Sequence, residues 1–170
     1  TVCKDCPIGR FQSASGSSEC LPCDAGSFQQ SEGQSACSPC PTGTYINITG
    51  TTECLDCEVG KFQGGSGSAK CNDCDPGTFT PTTGQPVCLP CKSGEYNDIY
   101  GKSSCAECDP GFYNAHTGRI ECTPCPLGSY AGGFGADECD QCPGGTYSNI
   151  TGVSTCEDCT RGKFTPLDGA

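Results

Sequence analysis

Twenty cysteines, spaced as Cys-x-x-Cys pairs, are the residues of this sequence best suited to chemistry. Such a pair can bind zinc, exchange electrons as a dithiol, or hold a scaffold together through disulfides. Each pair starts 17 residues after the one before it, at Cys3, Cys20, Cys37, Cys54, Cys71, Cys88, Cys105, Cys122, Cys139 and Cys156. Choosing among the three uses depends on the residues that surround the pairs.

The cysteine pairs belong to a 17-residue repeat that runs through the whole chain. We number the positions of each repeat from its first cysteine, so the second cysteine is position 4. Position 7 is glycine, position 9 is Phe or Tyr and position 14 is glycine, as at Gly26, Phe28 and Gly33. We therefore predict that residues 1–170 are one continuous array of ten cysteine-rich repeats, and a window of a longer array.

Composition limits both the core and the partners of this chain. Apolar residues make up 34% of its 170 residues, and that share includes the cysteines, so one large core is not expected. The net charge of −11 argues against binding to nucleic acid or to an anionic membrane surface. No apolar stretch approaches the roughly 20 residues of a membrane span, so no membrane insertion is expected within this segment.

The glycines and the aromatic residue predict the local elements of each repeat. Position 7 suits a turn just after the cysteine, and position 14 suits the tip of a small hairpin with positive φ. Between them we predict a short strand around the aromatic, and after the tip a return strand that leads into the next cysteine. We expect a small disulfide-rich, irregular all-β fold: an elongated rod of ten 17-residue units without a central core.

Covalent closure is required because each repeat has little to bury. Its aromatic side chain contributes about 1.5–3 kcal/mol on burial, whereas ordering one repeat costs roughly 25 kcal/mol. Three pairings give every repeat the same bonds: Cys20 with Cys23, Cys23 with Cys37, or Cys20 with Cys40. The second is favoured because its 15-residue loop stabilises by about 3 kcal/mol, but spacing alone does not exclude the others.

Residues 40–57, CPTGTYINITGTTECLDC, resemble the ephrin-receptor-like cysteine-rich repeat, and more distantly the first half of a tumour-necrosis-factor-receptor cysteine-rich domain. The resemblance extends over all ten repeats. It implies an extracellular or cell-surface location and no catalytic residue. It also implies the second pairing, which leaves Cys3 and Cys159 without partners in this chain. The implied disulfides are Cys6–Cys20, Cys23–Cys37, Cys40–Cys54, Cys57–Cys71, Cys74–Cys88, Cys91–Cys105, Cys108–Cys122, Cys125–Cys139 and Cys142–Cys156.

Zinc and redox chemistry fit the repeat less well than a scaffold does. Cys-x2-Cys-x13-Cys-x2-Cys is close to the spacing of a four-cysteine zinc site, but such sites would make alternate segments inequivalent, and nothing in the pattern alternates. A redox enzyme needs one Cys-x-x-Cys in a distinct environment, and here there are ten similar copies. The single histidine, His116, lies in a variable tip. We predict no enzyme, no cofactor and no metal site.

Acidic residues recur just after several cysteine pairs, at Asp24, Glu58, Asp75 and Asp109. A calcium-binding role would need an EF-hand-type loop, and none accompanies these residues. A solvated acidic face that aids solubility is the favoured interpretation.

Two Asn-x-Thr sequons, at Asn47 and Asn149, predict N-glycosylation. They occupy the same position in repeats that lie six apart, close to the predicted hairpin tip. The surrounding segments, residues 41–62 and 143–164, also share the strings NITG and GKF.

The strict period favours an extracellular structural protein: a disulfide-stapled rod, spacer or filament at a cell surface or in a matrix. Its partners would be neighbouring repeats, copies of itself in a fibre, or other extracellular proteins. The alternative is the ligand-binding ectodomain of a cell-surface receptor. Exposed aromatic residues would mark that function, and Tyr100, Phe112 and Phe134 are the candidates.

Overall fold

The computed structural model describes residues 2–165, and within them every regular element is a two-residue β-strand. The strands are Arg10–Phe11 (β1), Leu21–Pro22 (β2), Ser27–Phe28 (β3), Ser38–Pro39 (β4), Thr44–Tyr45 (β5), Leu55–Asp56 (β6), Lys61–Phe62 (β7), Asn72–Asp73 (β8), Thr78–Phe79 (β9), Leu89–Pro90 (β10), Glu95–Tyr96 (β11), Ala106–Glu107 (β12), Phe112–Tyr113 (β13), Thr123–Pro124 (β14), Ser129–Tyr130 (β15), Asp140–Gln141 (β16), Thr146–Tyr147 (β17) and Glu157–Asp158 (β18). Consecutive strands pair as two-stranded antiparallel sheets. The expected disulfide-rich, irregular all-β repeat fold is confirmed.

The chain divides into two compact units. The first comprises the residues up to 74 together with 80–88, and the second comprises 75–79 together with the residues from 89 onward. Each unit is built from the same hairpins. The first unit contains the sheets from β1–β2 to β7–β8, and the second contains those from β9–β10 to β17–β18.

Each hairpin joins one repeat to the next. The strand at positions 8 and 9 pairs with the two residues between the cysteines of the following pair, so that Phe28 lies opposite Ser38 and Ser27 opposite Pro39. The prediction that the return strand leads into the next cysteine was therefore wrong by a few residues. The strand lies beyond that cysteine because the N–H of Cys40 donates to the carbonyl of Gly26 at 2.9 Å, which sets the register.

A tight turn precedes the first strand of every hairpin. In the second repeat, the N–H of Ser27 donates to the carbonyl of Asp24 at 3.0 Å, and Gly26 between them has φ +88°. A positive φ at the third residue of a four-residue turn defines a type II turn, where glycine avoids the steric cost of a side chain. The predicted turn at position 7 is thus present.

Backbone hydrogen bonds tie each repeat to its successor. The N–H at position 7 donates to the carbonyl at position 10 of the next repeat, as from Gly26 to Ile46 at 2.8 Å. The N–H at position 14 donates back to the second cysteine of the preceding repeat, as from Gly50 to Cys23 at 2.8 Å. Both bonds recur in the second unit, for example from Gly111 to Ala131 at 2.8 Å. Neighbouring repeats therefore satisfy backbone groups that would otherwise need water.

Burial is distributed over the repeats and centres on the cystines. The second cysteine of each pair from Cys23 to Cys142 is fully buried, and the aromatic at position 9 is half-buried in these repeats. The expectation that the aromatic supplies the buried group is thus corrected, because the residue that follows it lies deeper. This position 10 is buried at Gln29, Ile46, Gln63, Thr80, Asn97, Asn114, Ala131 and Ser148. Phe164 is 80% exposed.

Candidate functional site

The disulfides connect each repeat to the next in the pattern that the family resemblance implied. Cys23 is bonded to Cys37 and Cys40 to Cys54, and the same bond recurs from Cys6–Cys20 to Cys142–Cys156. The bonded Cα atoms are 5.7–5.8 Å apart throughout, which is the usual separation. The two cysteines of a pair therefore bond in opposite directions along the chain, and neither is left as a dithiol.

The two cysteines that the pairing leaves over are free. Cys3 is exposed, and Cys159 is half-buried with its Sγ 3.9 Å from Oγ1 of Thr165.

The glycine at position 7 is packed against a repeat two steps further along. A Cβ on Gly43 would overlap the carbonyl oxygen of Gly84, and one on Gly111 would overlap that of Gly152. Both glycines also have positive φ. At Gly145, where φ is +88°, the same Cβ would meet no atom of residues 2–165 within 4 Å. Glycine at position 7 is therefore needed for close approach of backbones as well as for the turn.

Position 10 supplies buried polar side chains that the sequence analysis missed. Nδ2 of Asn97 donates to the carbonyl of Thr78 at 2.9 Å, and Nδ2 of Asn114 donates to that of Glu95 at 3.1 Å, so a short amide bridges to the preceding repeat. The longer amide of Gln63 instead reaches the carbonyl of Lys70 in its own repeat at 2.7 Å. Side chains alternate between faces along a strand, so the residue after a half-exposed aromatic should point inward. That was the available signal.

The structure places both sequon asparagines on the surface, at equivalent open grooves. Asn47 is exposed and lines a groove with Tyr45, Glu58, Lys61 and Lys70. Asn149 is likewise exposed, and its groove is lined by Tyr147, Thr160, Lys163, Phe164 and Thr165. The acceptor residues of both sequons, Thr49 and Thr151, are exposed as well.

Two surface side chains at these grooves have shifted pKa values. The hydrogen bond and charge of Asp73, whose carboxylate lies 3.1 Å from Nζ of Lys61, raise the pKa of Lys61. The hydroxyl of Tyr147 donates to Oε2 of Glu157 at 3.0 Å, and this bond raises the pKa of Tyr147. Both groups are at the surface, so these contacts orient side chains and contribute little to stability.

The remaining candidate residues stay apart from one another. His116 is exposed, as are Asp24, Glu58, Asp75 and Asp109. Within residues 2–165 no group of three or more His, Cys, Asp or Glu side chains is arranged to hold a metal ion. The same stretch has no helix long and apolar enough to cross a membrane.

The aromatic candidates for partner binding divide into two groups. Tyr100 and Phe134 occupy position 13 of their repeats and are 68% and 66% exposed. Phe112, in contrast, is half-buried: its Cζ would lie 3.7 Å from a Cβ built on Gly152, so it covers backbone of a later repeat.

Comparison with known proteins identifies one family. The family model described as tyrosine-protein kinase ephrin type A/B receptor-like matches residues 12–52, 43–86 and 111–159, which together are more than half of the chain. Among solved structures, a chain of the human RANKL/OPG complex is similar, with 20% identity over 90% of this chain and 83% of that chain, and a TM-score of 0.20. No curated protein matches the sequence.

Proposed function

The chain belongs to the ephrin type A/B receptor-like family of cysteine-rich repeats, and we propose that it is a structural element, a disulfide-stapled rod, spacer or filament. Family membership and nine disulfides indicate an extracellular or cell-surface protein. Membership of this family supports an extracellular ligand-binding or structural module.

The observation that carries this proposal is the repetition of one set of contacts between successive repeats. Within each unit, a disulfide, a two-residue strand pair and the same backbone hydrogen bonds join one repeat to the next. The glycine contacts reach one repeat further, as between Gly43 and Gly84. Because every repeat offers its successor the same surface, the array can be lengthened without any new type of contact. A chain bonded in this way suits transmission of tension or the spacing of two attachments.

The proposal assigns the chain no catalytic role. The cysteines are used in disulfides, apart from Cys3 and Cys159. The pKa values of Lys61 and Tyr147 are raised, and each shift is caused mainly by one surface partner, Asp73 or Glu157. The partners that follow from the proposal are neighbouring repeats and further copies of the chain, with other extracellular proteins attached at the ends.

Negative-stain imaging of the native protein tests the proposal directly. We expect extended particles or fibres of uniform width, whose length increases with the number of repeats. Discrete compact particles, all of one size and bound to a partner, would contradict the structural assignment and favour a receptor ectodomain.

The receptor alternative rests on the exposure of Tyr100 and Phe134. Large aromatic residues at the surface are typical of interaction hot spots, and these two share a repeat position within the second unit. Under this alternative, replacing both with serine abolishes the binding of an extracellular partner and leaves the disulfides intact. The structural proposal predicts instead that the double replacement does not change particle length.

A further inference from the structure

The two grooves beside Asn47 and Asn149 share features that the other repeats lack. Position 11 is asparagine in these two repeats alone, and in both it begins an Asn-Ile-Thr sequon. Each asparagine lies two residues after a tyrosine, Tyr45 or Tyr147, and lines a groove together with that tyrosine. A glycan on either asparagine would thus leave the backbone directly beside an aromatic ring.

A lysine accompanies each sequon from the next repeat. Position 8 is lysine only at Lys61 and Lys163, which are the repeats that directly follow a sequon. Both lysines line the same groove as the asparagine of the preceding repeat. Sequon and lysine therefore occur together twice, six repeats apart, although the 17-residue template requires neither.

From this coincidence we propose that Asn47 and Asn149 carry N-linked glycans whose first N-acetylglucosamine lies in the groove, on the ring of Tyr45 or Tyr147. A pyranose has an apolar face of C–H groups that can cover an exposed aromatic ring and remove apolar surface from water. The lysine ammonium has only donors, and it is placed to donate to hydroxyl or N-acetyl oxygens of the sugar.

Attachment itself uses the secretory pathway's lipid-pyrophosphate-linked oligosaccharide as donor. The bond that forms joins Nδ2 of asparagine to C1 of the first sugar, and the bond that breaks joins C1 to the pyrophosphate oxygen. The amide loses one proton and the lipid pyrophosphate leaves. The exposure of Asn47, Thr49, Asn149 and Thr151 is compatible with this transfer. The glycan proposal depends on the extracellular destination of the proposed function but not on the rod. The glycan proposal and the rod proposal can therefore fail independently of each other.

The geometry around the tyrosines supports a defined position for the sugar. The hydroxyl of Tyr147 is held by Glu157 at 3.0 Å, which fixes the ring beside Asn149. Nζ of Lys61 is held by Asp73 at 3.1 Å, and Lys61 lines the same groove as Tyr45. Asp73 and Glu157 are surface groups, and neither Tyr45 nor Tyr147 is fully buried, so part of each tyrosine side chain is open to a sugar.

The test begins with the 170-residue chain secreted from animal cells. Intact mass should show glycan on both asparagines. The glycans are then trimmed to one N-acetylglucosamine, and the N-acetyl methyl proton of each is observed by NMR. We expect both methyl signals to be shifted upfield of those from a proteolysed glycopeptide, because a sugar stacked on a ring experiences its ring current. Amide exchange at Lys61, whose N–H donates to Glu58, should be at least about threefold slower than after complete removal of the sugar.

Replacement of one tyrosine provides the specific control. Tyr45→Leu should abolish the upfield shift at Asn47 and leave that at Asn149 unchanged. Tyr113→Leu makes the same change at position 9 of a repeat that has no sequon, so it measures the structural cost of losing the ring. If the Tyr45 variant does not fold, the upfield shift in the unmodified protein still decides the matter. Absence of glycan from both asparagines, or methyl signals identical to those of the free glycopeptide, would overturn the proposal.

Discussion

Replacing Gly111 or Gly145 with alanine distinguishes the two requirements for glycine at position 7, which are the positive φ of the turn and the close approach of another backbone. Both residues lie in the second unit, and their φ angles are +91° and +88°. Alanine at such a φ costs about 1–2 kcal/mol at either site. Only at Gly111 would the new Cβ overlap another backbone, that of Gly152. The difference between the two variants therefore measures the contact between repeats that are two steps apart.

The loss of stability in Gly111→Ala can be estimated from the separation that the new Cβ forces between the backbones at Gly111 and Gly152. Separating the backbones costs about 1–3 kcal/mol, as overpacking does elsewhere. It also weakens the bonds from Gly111 to Ala131 at 2.8 Å and from Gly152 to Cys125 at 2.9 Å, which are worth about 1 kcal/mol each. We expect Gly111→Ala to be more destabilising than Gly145→Ala by about 2–4 kcal/mol, which corresponds to a roughly 30- to 1,000-fold larger population of the locally open state.

Amide hydrogen exchange of the oxidised protein is the suitable assay, because it reports local opening in a structure that does not unfold as one unit. The amides of Cys125 and Gly152 should lose protection in Gly111→Ala and keep most of it in Gly145→Ala. Disulfide mapping of both variants controls for altered pairing. Equal losses of protection in the two variants would refute the reasoning, because strain from the positive φ would then account for the whole effect.

Three further predictions concern chemistry, the buried amides and pH. Thiol titration of denatured, unreduced protein should find two thiols, Cys3 and Cys159, and metal analysis should find no stoichiometric zinc. Reduction should abolish the fold, whereas chelators should leave it unchanged. Many free thiols or bound zinc would contradict the disulfide scaffold. Asn114→Ala should cost about 1–3 kcal/mol, because the bridge to the preceding repeat is lost at a buried site; exchange rates as slow as in the unmodified protein would speak against that bridge. Tyr147 should titrate above the usual tyrosine pKa in an optical titration, and Glu157→Gln should bring its pKa down. The small stability that this bond supplies is present below the unfolded pKa of about 10 and is lost as pH rises through the raised folded value.

The sequence predicted the structural features of positions that have the same residue type in every repeat. The glycines at positions 7 and 14 have positive φ through the described residues, and the hairpins that they bound connect successive repeats. These positions could be inferred because one residue type alone meets the backbone requirement. The strand that contains the aromatic could be located for the same reason, because it lies between the two recurring glycines at positions 7 and 14.

The structure was needed to find buried positions at which the residue type varies from repeat to repeat. It was also needed to find contacts between repeats that are not adjacent. Position 10 is buried whether it is Gln63, Thr80, Asn97 or Ala131, so no recurring letter marked it. Its inward direction comes from the pleat of the strand, and the polar side chains there are satisfied by carbonyls of the same or the preceding repeat. The overlap at position 7 could not be inferred either, because it depends on how two successive hairpins turn relative to the first.

The open grooves at the sequons could be predicted from the sequence only in part. The asparagine and threonine of each sequon are visible in the sequence, and so is the lysine that follows in the next repeat. That Lys61 and Asn47 line one groove, 14 residues apart, follows only from the fold. Sequence motifs marked the attachment point, and packing between repeats supplied the surface beside it.

Small-angle X-ray scattering of the oxidised, monomeric chain tests the proposed rod most directly. A compact globule of this length would have a radius of gyration of about 16 Å. For a rod we expect a value well above that, together with a linear region in the cross-sectional Guinier plot, because each repeat bonds chiefly to its near neighbours along the chain. A radius of gyration near 16 Å, with no such linear region, would contradict the proposal that this protein acts as an extended spacer.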